Sequence, residues 1–312
     1  MNWKEEYIQM LGAIDSNDDE ISAALELKMA NLPSNLYKYL PPNNDAINSI
    51  MNDTVWVSKP SIFKDTFEFA EFLDPSKLNK SMDKILNREI TLSSAGKNKM
   101  PINIIRKIKR GRRAVKLLSF FIPPLKRKYE RMWAKRILVM QCGVIKSMQD
   151  KMKVGCFCES PNNIKVWEEH ANSHTGFCIE YDISRWRKDD IRRKLLHPVV
   201  YTDDLYDSTD HYIHHALNSR FNFMFPVISG TRKQKQYEYE NEWRLIIQAG
   251  ASFLEQDYPM NCQSRVYIGY RMENDYKAGI NEICRKRGLE VYQEMLSTKT
   301  HELTFEPLML NE

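Results

Sequence analysis

The stretch from residue 237 to residue 247 has the clearest two-faced pattern in the chain. Successive side chains of a β-strand point to opposite faces, so this pattern predicts a strand over residues 237–248. One face is mostly aromatic and aliphatic, and the other carries Glu238, Glu240, Glu242 and Arg244. Carboxylates spaced about 7 Å apart repel one another unless a cation neutralises them. The chain therefore needs a sheet with a core on one side and a charged site on the other.

Further segments with strand character lie on both sides of a long helical stretch. The strands are expected at 36–40, 54–58, 154–158, 176–181, 198–201, 265–269, 289–293 and 302–306. Helices are expected in the first 35 residues, after Asn43, from Pro161, over 207–229, and from Asn274 to Gly288. This mixed order predicts an α+β fold with a mixed or antiparallel sheet.

A basic helical stretch interrupts this order over residues 75–152, where Pro123-Pro124 breaks the helical pattern. Between Lys97 and Arg136 the net charge is +14, whereas the rest of the chain carries −9. Such a localised positive charge is typical of a surface that binds a polyanion. The residues expected to bind nucleic acid are Arg106, Lys107, Lys109, Arg110, Arg112 and Arg113.

This order suggests one composite catalytic domain in four parts: N-terminal helices over 1–35, the first part of the core over 36–74, the basic insertion over 75–152, and the rest of the core over 153–312. The six cysteines lack the paired spacing of zinc sites and the density of a disulfide framework. Reduced thiols, no signal peptide and no apolar run of about 20 residues predict a cytoplasmic protein without a membrane span.

Several motifs resemble those of a bacterial family of unknown function that occurs among toxins and phage-defence genes. They are Leu36-Tyr37-Lys38-Tyr39, Val55 to Pro60 with Phe63 to Phe67, Cys156 to Ser160, Trp167-x-x-His170-Ala171, His174-x-Gly176-Phe177-Cys178-Ile179, and Lys233 with Tyr239-Glu240-Asn241-Glu242-Trp243-Arg244. The second motif departs from the family's usual F-N-D-P-F, because Lys64 and Thr66 replace the asparagine and the proline.

That family is distantly similar to ADP-ribosyltransferases, and the resemblance implies their fold and NAD as co-substrate. Glu242 would stabilise the sugar cation, and Glu240 would orient or deprotonate the acceptor. The residues expected to hold NAD are Tyr37, Lys38, Tyr39, Ser58, Lys233 and Arg244. Lys38 stands where the superfamily has histidine or arginine. No metal is expected, although His170 and His174 are spaced as a pair that could ligate one.

These observations predict an NAD-dependent mono-ADP-ribosyltransferase toxin of an antiphage or toxin–antitoxin system. Nucleic acid, with RNA favoured, is the expected acceptor, and a cognate antitoxin, with or without a chaperone, is the expected partner. Two alternatives stay open. One is a non-catalytic nucleic-acid-binding or sensor module. The other is a metal-dependent nuclease toxin that binds Mg²⁺ through Asp203, Asp204, Asp207 and Asp210 together with Glu240 or Glu242.

Overall fold

The structure is a computed structural model, and it describes most of the chain outside the basic stretch. The described residues are 2–13, 18–63, 65, 67–78, 80–81, 84, 110, 135, 139, 142–143, 145–218, 222, 224–248, 256–297, 299–300 and 302–308. Of the six residues predicted to bind nucleic acid, Arg110 is helical and exposed. The prediction for the other five, Arg106, Lys107, Lys109, Arg112 and Arg113, lies outside the described residues.

Fourteen strands are assigned in the described ranges. They are β1 Asn35–Leu40, β2 Thr54–Val57, β3 Glu71–Phe72, β4 Met152–Cys158, β5 Phe177–Asp182, β6 Leu196–Pro198, β7 Val200–Tyr201, β8 Tyr206–Asp207, β9 Arg232–Lys233, β10 Glu242–Gln248, β11 Gln256–Pro259, β12 Gln263–Ile268, β13 Glu290–Leu296 and β14 Leu303–Pro307. Eight of them form one sheet in the order β14-β13-β12-β5-β1-β4-β10-β6. All its neighbours are antiparallel except β12 and β13, so the predicted α+β class is confirmed.

The helices surround this sheet. They are α1 Trp3–Leu11, α2 Asp18–Ala30, α3 Asn44–Asn52, α4 Ile164–His170, α5 Ile191–Leu195, α6 Thr209–Asn218, α7 Phe225–Gly230 and α8 Asn274–Arg287, with 3-10 turns at Pro60–Ile62, Ile183–Arg185 and Lys235–Glu240. The predicted caps are confirmed at Asn43, whose side chain accepts from Ala46 N, and at Gly288, which ends α8 with φ +69°. Within the described residues, no helix combines the length and apolar character needed to cross a bilayer.

The sheet packs on both of its faces. The larger core lies between the sheet and helices α3 and α8, and Ile179 of β5 is one of its fully buried members. The neighbouring residue Cys178 points to the opposite face, where it packs with Tyr39 and with Trp167 of α4. A third cluster joins α1, α2 and α7 to the outer end of the sheet.

The predicted strand over 237–248 is correct only in its second half. Residues Lys235–Glu240 form a 3-10 turn, Asn241 has a left-handed backbone with φ +43°, and the strand begins at Glu242. Asparagine tolerates the left-handed region better than most residues, so the chain can turn there. As a result Glu238 is exposed, and Glu240 reaches Glu242 through the turn rather than through strand alternation.

The sheet opens between β1 and β4. β1 pairs with β5 along its whole length but meets β4 at a single register pair, Tyr37 and Cys158. At the other end of β4, Ser58 exchanges two backbone hydrogen bonds with Val154. The register leaves the edge of β4 between these two contacts without a strand partner in the described part of the chain.

Candidate functional site

A cleft of about 680 Å³ occupies this opening. Its volume falls in the range of small-molecule sites, which is about 300–1,000 Å³. The residues lining it are Tyr37, Lys38, Tyr39, Ile62, Phe63, Asp65, Glu68, Cys156, Phe157, Cys158, Val166, Glu169, His170, Lys233, Tyr237, Glu240 and Glu242. The cleft thus combines aromatic rings, lysines and carboxylates.

The wall formed by β1 presents Tyr37, Lys38 and Tyr39. Within the described ranges Lys38 forms no salt bridge, so its ammonium group is available to an anion in the cleft. Tyr39 is fixed, because its hydroxyl donates to Ser160 O at 2.7 Å and its ring meets the Trp167 ring edge-on. Burial, followed by the nearby Glu180 carboxylate, raises the pKa of Tyr37 to about 12.

The opposite wall holds a buried cluster of charges around Lys233. Its Nζ donates to Glu240 Oε2 at 2.6 Å and to Glu242 Oε2 at 3.0 Å, and it lies over the Tyr237 ring. Burial favours the neutral amine, but the two carboxylates outweigh it and raise the pKa of Lys233. Lys233 is therefore a fixed cation on the cleft wall.

Behind Lys233, Arg244 is fully buried and uses all five of its N–H donors. Nη1 and Nη2 bind the two oxygens of Glu68 at 2.6 and 2.8 Å, and Nε and Nη2 bind those of Glu242 at 2.9 and 3.0 Å. The fifth hydrogen bond goes to Gly230 O at 2.8 Å. Arg244 therefore ties the segment that carries Glu68 to β10 and has no donor left for a ligand.

The two glutamates predicted to be catalytic differ in how many hydrogen bonds their carboxylate oxygens accept. Glu242 accepts two hydrogen bonds from Arg244 and one from Lys233, which occupy three of the roughly four acceptor sites of a carboxylate. Burial opposes its charge, but Arg244 and Lys233 prevail and hold the pKa of Glu242 well below its usual range. Glu240 is bound by Lys233 through Oε2, and its Oε1 lies 3.6 Å from His170 Nε2.

The edge of β4 adds main-chain groups to the site. Alternate residues of a strand direct their N–H and C=O to the same side, and Val154 directs both toward Ser58. Cys156, two residues later, therefore directs its N–H and C=O into the opening. These groups have no strand partner there among the described residues, and they offer a ligand one donor and one acceptor.

Helix α4 borders the mouth of the cleft, where Glu169 and His170 are exposed. Its N-cap Asn163 accepts from Val166 N, and the same side chain donates to Tyr239 O in the 3-10 turn. The Tyr239 hydroxyl in turn donates to Glu169 on α4. The helix begins at Ile164 rather than at Pro161, and it ends at His170. These contacts fix the turn that carries Glu240 against the helix that carries His170.

Two predicted NAD-binding residues are not among those that line the cleft. Ser58 is almost fully buried and is bound to Val154 through its backbone, and Arg244 is enclosed behind the wall. Tyr37, Lys38, Tyr39 and Lys233 line it, as do both predicted catalytic glutamates.

Neither of the two ligand sets that the sequence offered for a metal, beside the expectation of no metal, is brought together in the cleft. His174 adopts a left-handed backbone beyond α4 and pairs with Glu294 at 2.8 Å, so it does not share a site with His170. The four aspartates of the nuclease alternative, Asp203, Asp204, Asp207 and Asp210, do not line the cleft; the last two bind Lys77.

Glu68 and Glu169 are cleft residues for which the sequence indicated no role, and His170 was named only as a possible metal ligand together with His174. A buried arginine needs a carboxylate partner, but nothing local distinguishes Glu68 from the other acidic residues, because it lies 176 positions from Arg244. Glu169 and His170 are consecutive residues at the end of a helix, and nothing in that position distinguishes them from ordinary surface residues. Only the folded turn brings Glu240 to them.

Comparison with known families finds one match. A family described as a protein of unknown function (DUF2971) matches residues 166–245, which run from α4 to the middle of β10. The matched segment contains Glu169, His170, Lys233, Glu240 and Glu242, so it supplies one wall of the cleft. Neither the curated proteins nor the solved structures yielded a match.

Proposed function

We propose that the chain is an NAD-dependent mono-ADP-ribosyltransferase that modifies nucleic acid, with RNA favoured, as the toxin of a bacterial antiphage or toxin–antitoxin system. The observation that carries the proposal is that Lys38 of β1 and the glutamates near the start of β10 border one cleft of dinucleotide size. A cognate antitoxin, with or without a chaperone, would restrain such a toxin in the cytoplasm.

The charges of the cleft suit the bond that is broken. Cleavage between nicotinamide N1 and ribose C1′ leaves the electron pair on nicotinamide and an oxocarbenium-like charge on the sugar. Three carboxylates, Glu68, Glu240 and Glu242, meet two cations, Lys233 and Arg244, so the wall keeps a net charge of −1 beside that sugar. A preorganised anion of this kind lowers the barrier without reorganisation.

The hydrogen bonds favour a division of roles between the glutamates. Glu242 has most of its acceptor sites occupied by Arg244 and Lys233, so it acts as a fixed charge that positions Lys233. Glu240 keeps Oε1 for the ribose hydroxyl or for the acceptor's proton, which it takes as the acceptor oxygen or nitrogen bonds to C1′. Nicotinamide and one proton are the other products.

The remaining cleft groups match the other parts of the dinucleotide. Lys38 is available for the pyrophosphate, and Tyr37 or Tyr237 offers a ring on which a base can stack. The N–H and C=O of Cys156, which have no strand partner on this edge among the described residues, fit a carboxamide, which also carries a donor and an acceptor on neighbouring atoms.

The test is a transfer assay with labelled NAD⁺ and total RNA, following both nicotinamide release and label on the RNA. Glu240→Gln keeps the shape and the Lys233 contact but removes the charge, so we expect transfer to fall by about 10²–10³. Glu238→Gln, on the exposed side of the same turn, is the matched control and should transfer like the wild type.

Thermal unfolding of both variants separates loss of chemistry from loss of fold. Full transfer by a folded Glu240→Gln protein would reject the role given to Glu240. Absence of nicotinamide release by the wild type with RNA, DNA and protein acceptors would reject the transferase itself.

A further inference from the structure

The structure assigns a second ligand to the mouth of the cleft: we propose that Glu169, His170 and Glu240 bind one Zn²⁺ ion, and that this ion blocks the cleft. Each residue offers one ligand atom, and the three atoms lie within 4.8 Å of one another. Two come from the last turn of α4 and the third from the end of the 3-10 turn, which Asn163 and Tyr239 hold together.

The separation of His170 and Glu240 fits a shared metal better than a direct contact. His170 Nε2 lies 3.6 Å from Glu240 Oε1, which is too far for a hydrogen bond. Two ligands bound tetrahedrally to zinc, at about 2.0–2.2 Å each, stand about 3.4 Å apart. A small closure of the Glu169 side chain, which is exposed, completes a three-ligand site.

Glu240 supplies an independent observation. Its side chain is 95% buried, Lys233 binds Oε2, and no described residue donates a hydrogen bond to Oε1. Oε1, which faces His170 at the mouth of the cleft, therefore keeps its lone pairs for a cation. The charge cluster carries −1, and Glu169 and Lys165, whose charged atoms lie 4.0 Å apart, add one charge of each sign, so the net charge beside the three ligand atoms stays at −1. The mouth of the cleft therefore attracts a divalent cation.

The chemical types of the three ligands indicate which metal they would bind. One imidazole and two carboxylates suit zinc, whereas magnesium prefers an all-oxygen shell with several waters. The Tyr239 hydroxyl donates to Glu169 Oε2 and orients that carboxylate, as outer-sphere partners of metal ligands do. Three protein ligands leave a fourth position open toward the cleft. The ion would take up Glu240 Oε1, the oxygen that the transferase proposal needs, so the inhibitory part rests on that proposal.

Direct binding tests the site without reference to activity. Isothermal titration of the metal-free full chain with ZnCl₂ should give one site, and His170→Gln should weaken it by more than about tenfold, since even outer-sphere changes have effects of that size. His215→Gln, which changes an exposed histidine outside the cleft, should bind like the wild type. Equal affinity in the His170 variant, or no binding by the wild type, overturns the proposal.

Cobalt(II) distinguishes this site from the thiols that also line the cleft. Cobalt bound by nitrogen and oxygen lacks the sulfur-to-metal charge-transfer band, so its absence is expected. A strong band of that kind would assign the metal to Cys156 or Cys158 instead and overturn the proposed ligand set.

Inhibition is measured separately, as NAD⁺ consumption with and without zinc. Inhibition of the wild type that His170→Gln relieves supports the blocking role, and equal inhibition of both proteins contradicts it. If the wild type consumes no NAD⁺ at all, the transferase proposal fails while the titration still decides whether the metal site exists.

Discussion

Replacing Arg244 by leucine tests whether the buried charge network holds the cleft together. Arg244 is fully enclosed, binds Glu68 and Glu242 through four hydrogen bonds, and donates a fifth to Gly230 O. Removing one partner of a buried ion pair costs about 3–5 kcal/mol, because the other charge is left without compensation. The lost bond to Gly230 O adds about 1 kcal/mol. The expected loss is therefore about 4–6 kcal/mol of unfolding free energy.

The assay is denaturant unfolding near neutral pH, with Arg187→Leu as the matched control. Arg187 also binds a carboxylate through two hydrogen bonds, but its side chain is 84% exposed and that of its partner Asp189 is 73% exposed. Exposed pairs contribute about 0–1 kcal/mol, so the control should unfold close to the wild type. A loss for Arg244→Leu no larger than for Arg187→Leu would refute the reasoning.

A double-mutant cycle then isolates the Glu68 contact. Glu68→Gln together with Arg244→Leu should reduce the free energy of unfolding by about 1–3 kcal/mol less than the sum of the two single changes, because the pair shares one interaction.

The free energy of unfolding at acidic pH tests the same charge network through Glu242. Despite the opposing effect of burial, Arg244 and Lys233 hold the pKa of Glu242 below its unfolded value of about 4.5. Its contribution is present above pH 4.5 and is lost as the pH falls toward the lower folded pKa.

Three further predictions concern other parts of the chain. Burial raises the pKa of Glu71 from 4.5 to about 7. Between these two pH values the folded state holds a proton that the unfolded state has lost, so the stability of the fold decreases as the pH rises. Glu71→Gln should remove this pH dependence and increase the free energy of unfolding by up to about 3 kcal/mol at pH 8. Gly176→Ala should lose about 2 kcal/mol or more on denaturant unfolding, since its Cβ would lie 2.1 Å from Leu40 O, whereas Gly279→Ala in α8 meets open space and should gain about 1 kcal/mol. Neutralising the basic stretch should flatten the salt dependence of RNA binding in a filter assay, by about 0.7 in the log–log slope for each lost phosphate contact, and an unchanged slope would reject that role. The residues to change are Arg106, Lys107, Lys109, Arg110, Arg112 and Arg113.

The elements that the sequence predicted well carry their signal within one or two turns of chain. The cap at Asn43 and the left-handed glycine at position 288 depend on the backbone groups next to them. The same locality explains the error at 237–241. Alternation there fits a strand, but Asn241 permits a left-handed turn, and contacts from Asn163 far along the chain stabilise that turn. Secondary-structure propensity reflects neighbouring residues, so it does not include a contact between residues 76 positions apart.

The cleft depends on how far β1 pairs with β4, and the alternation of side chains along the strands does not determine this. β1 has six residues of strand character, and nothing in them distinguishes pairing with β4 along the whole length from pairing at Tyr37 alone. Ser58 pairs through its backbone with Val154 and so occupies the edge of β4 that a longer pairing with β1 would use. The sheet therefore opens where Lys38 faces the carboxylates, although Ser58 does not line the cleft. Ser58 thus contributes to the shape of the opening, because its backbone hydrogen bonds to Val154 limit how far the cleft extends.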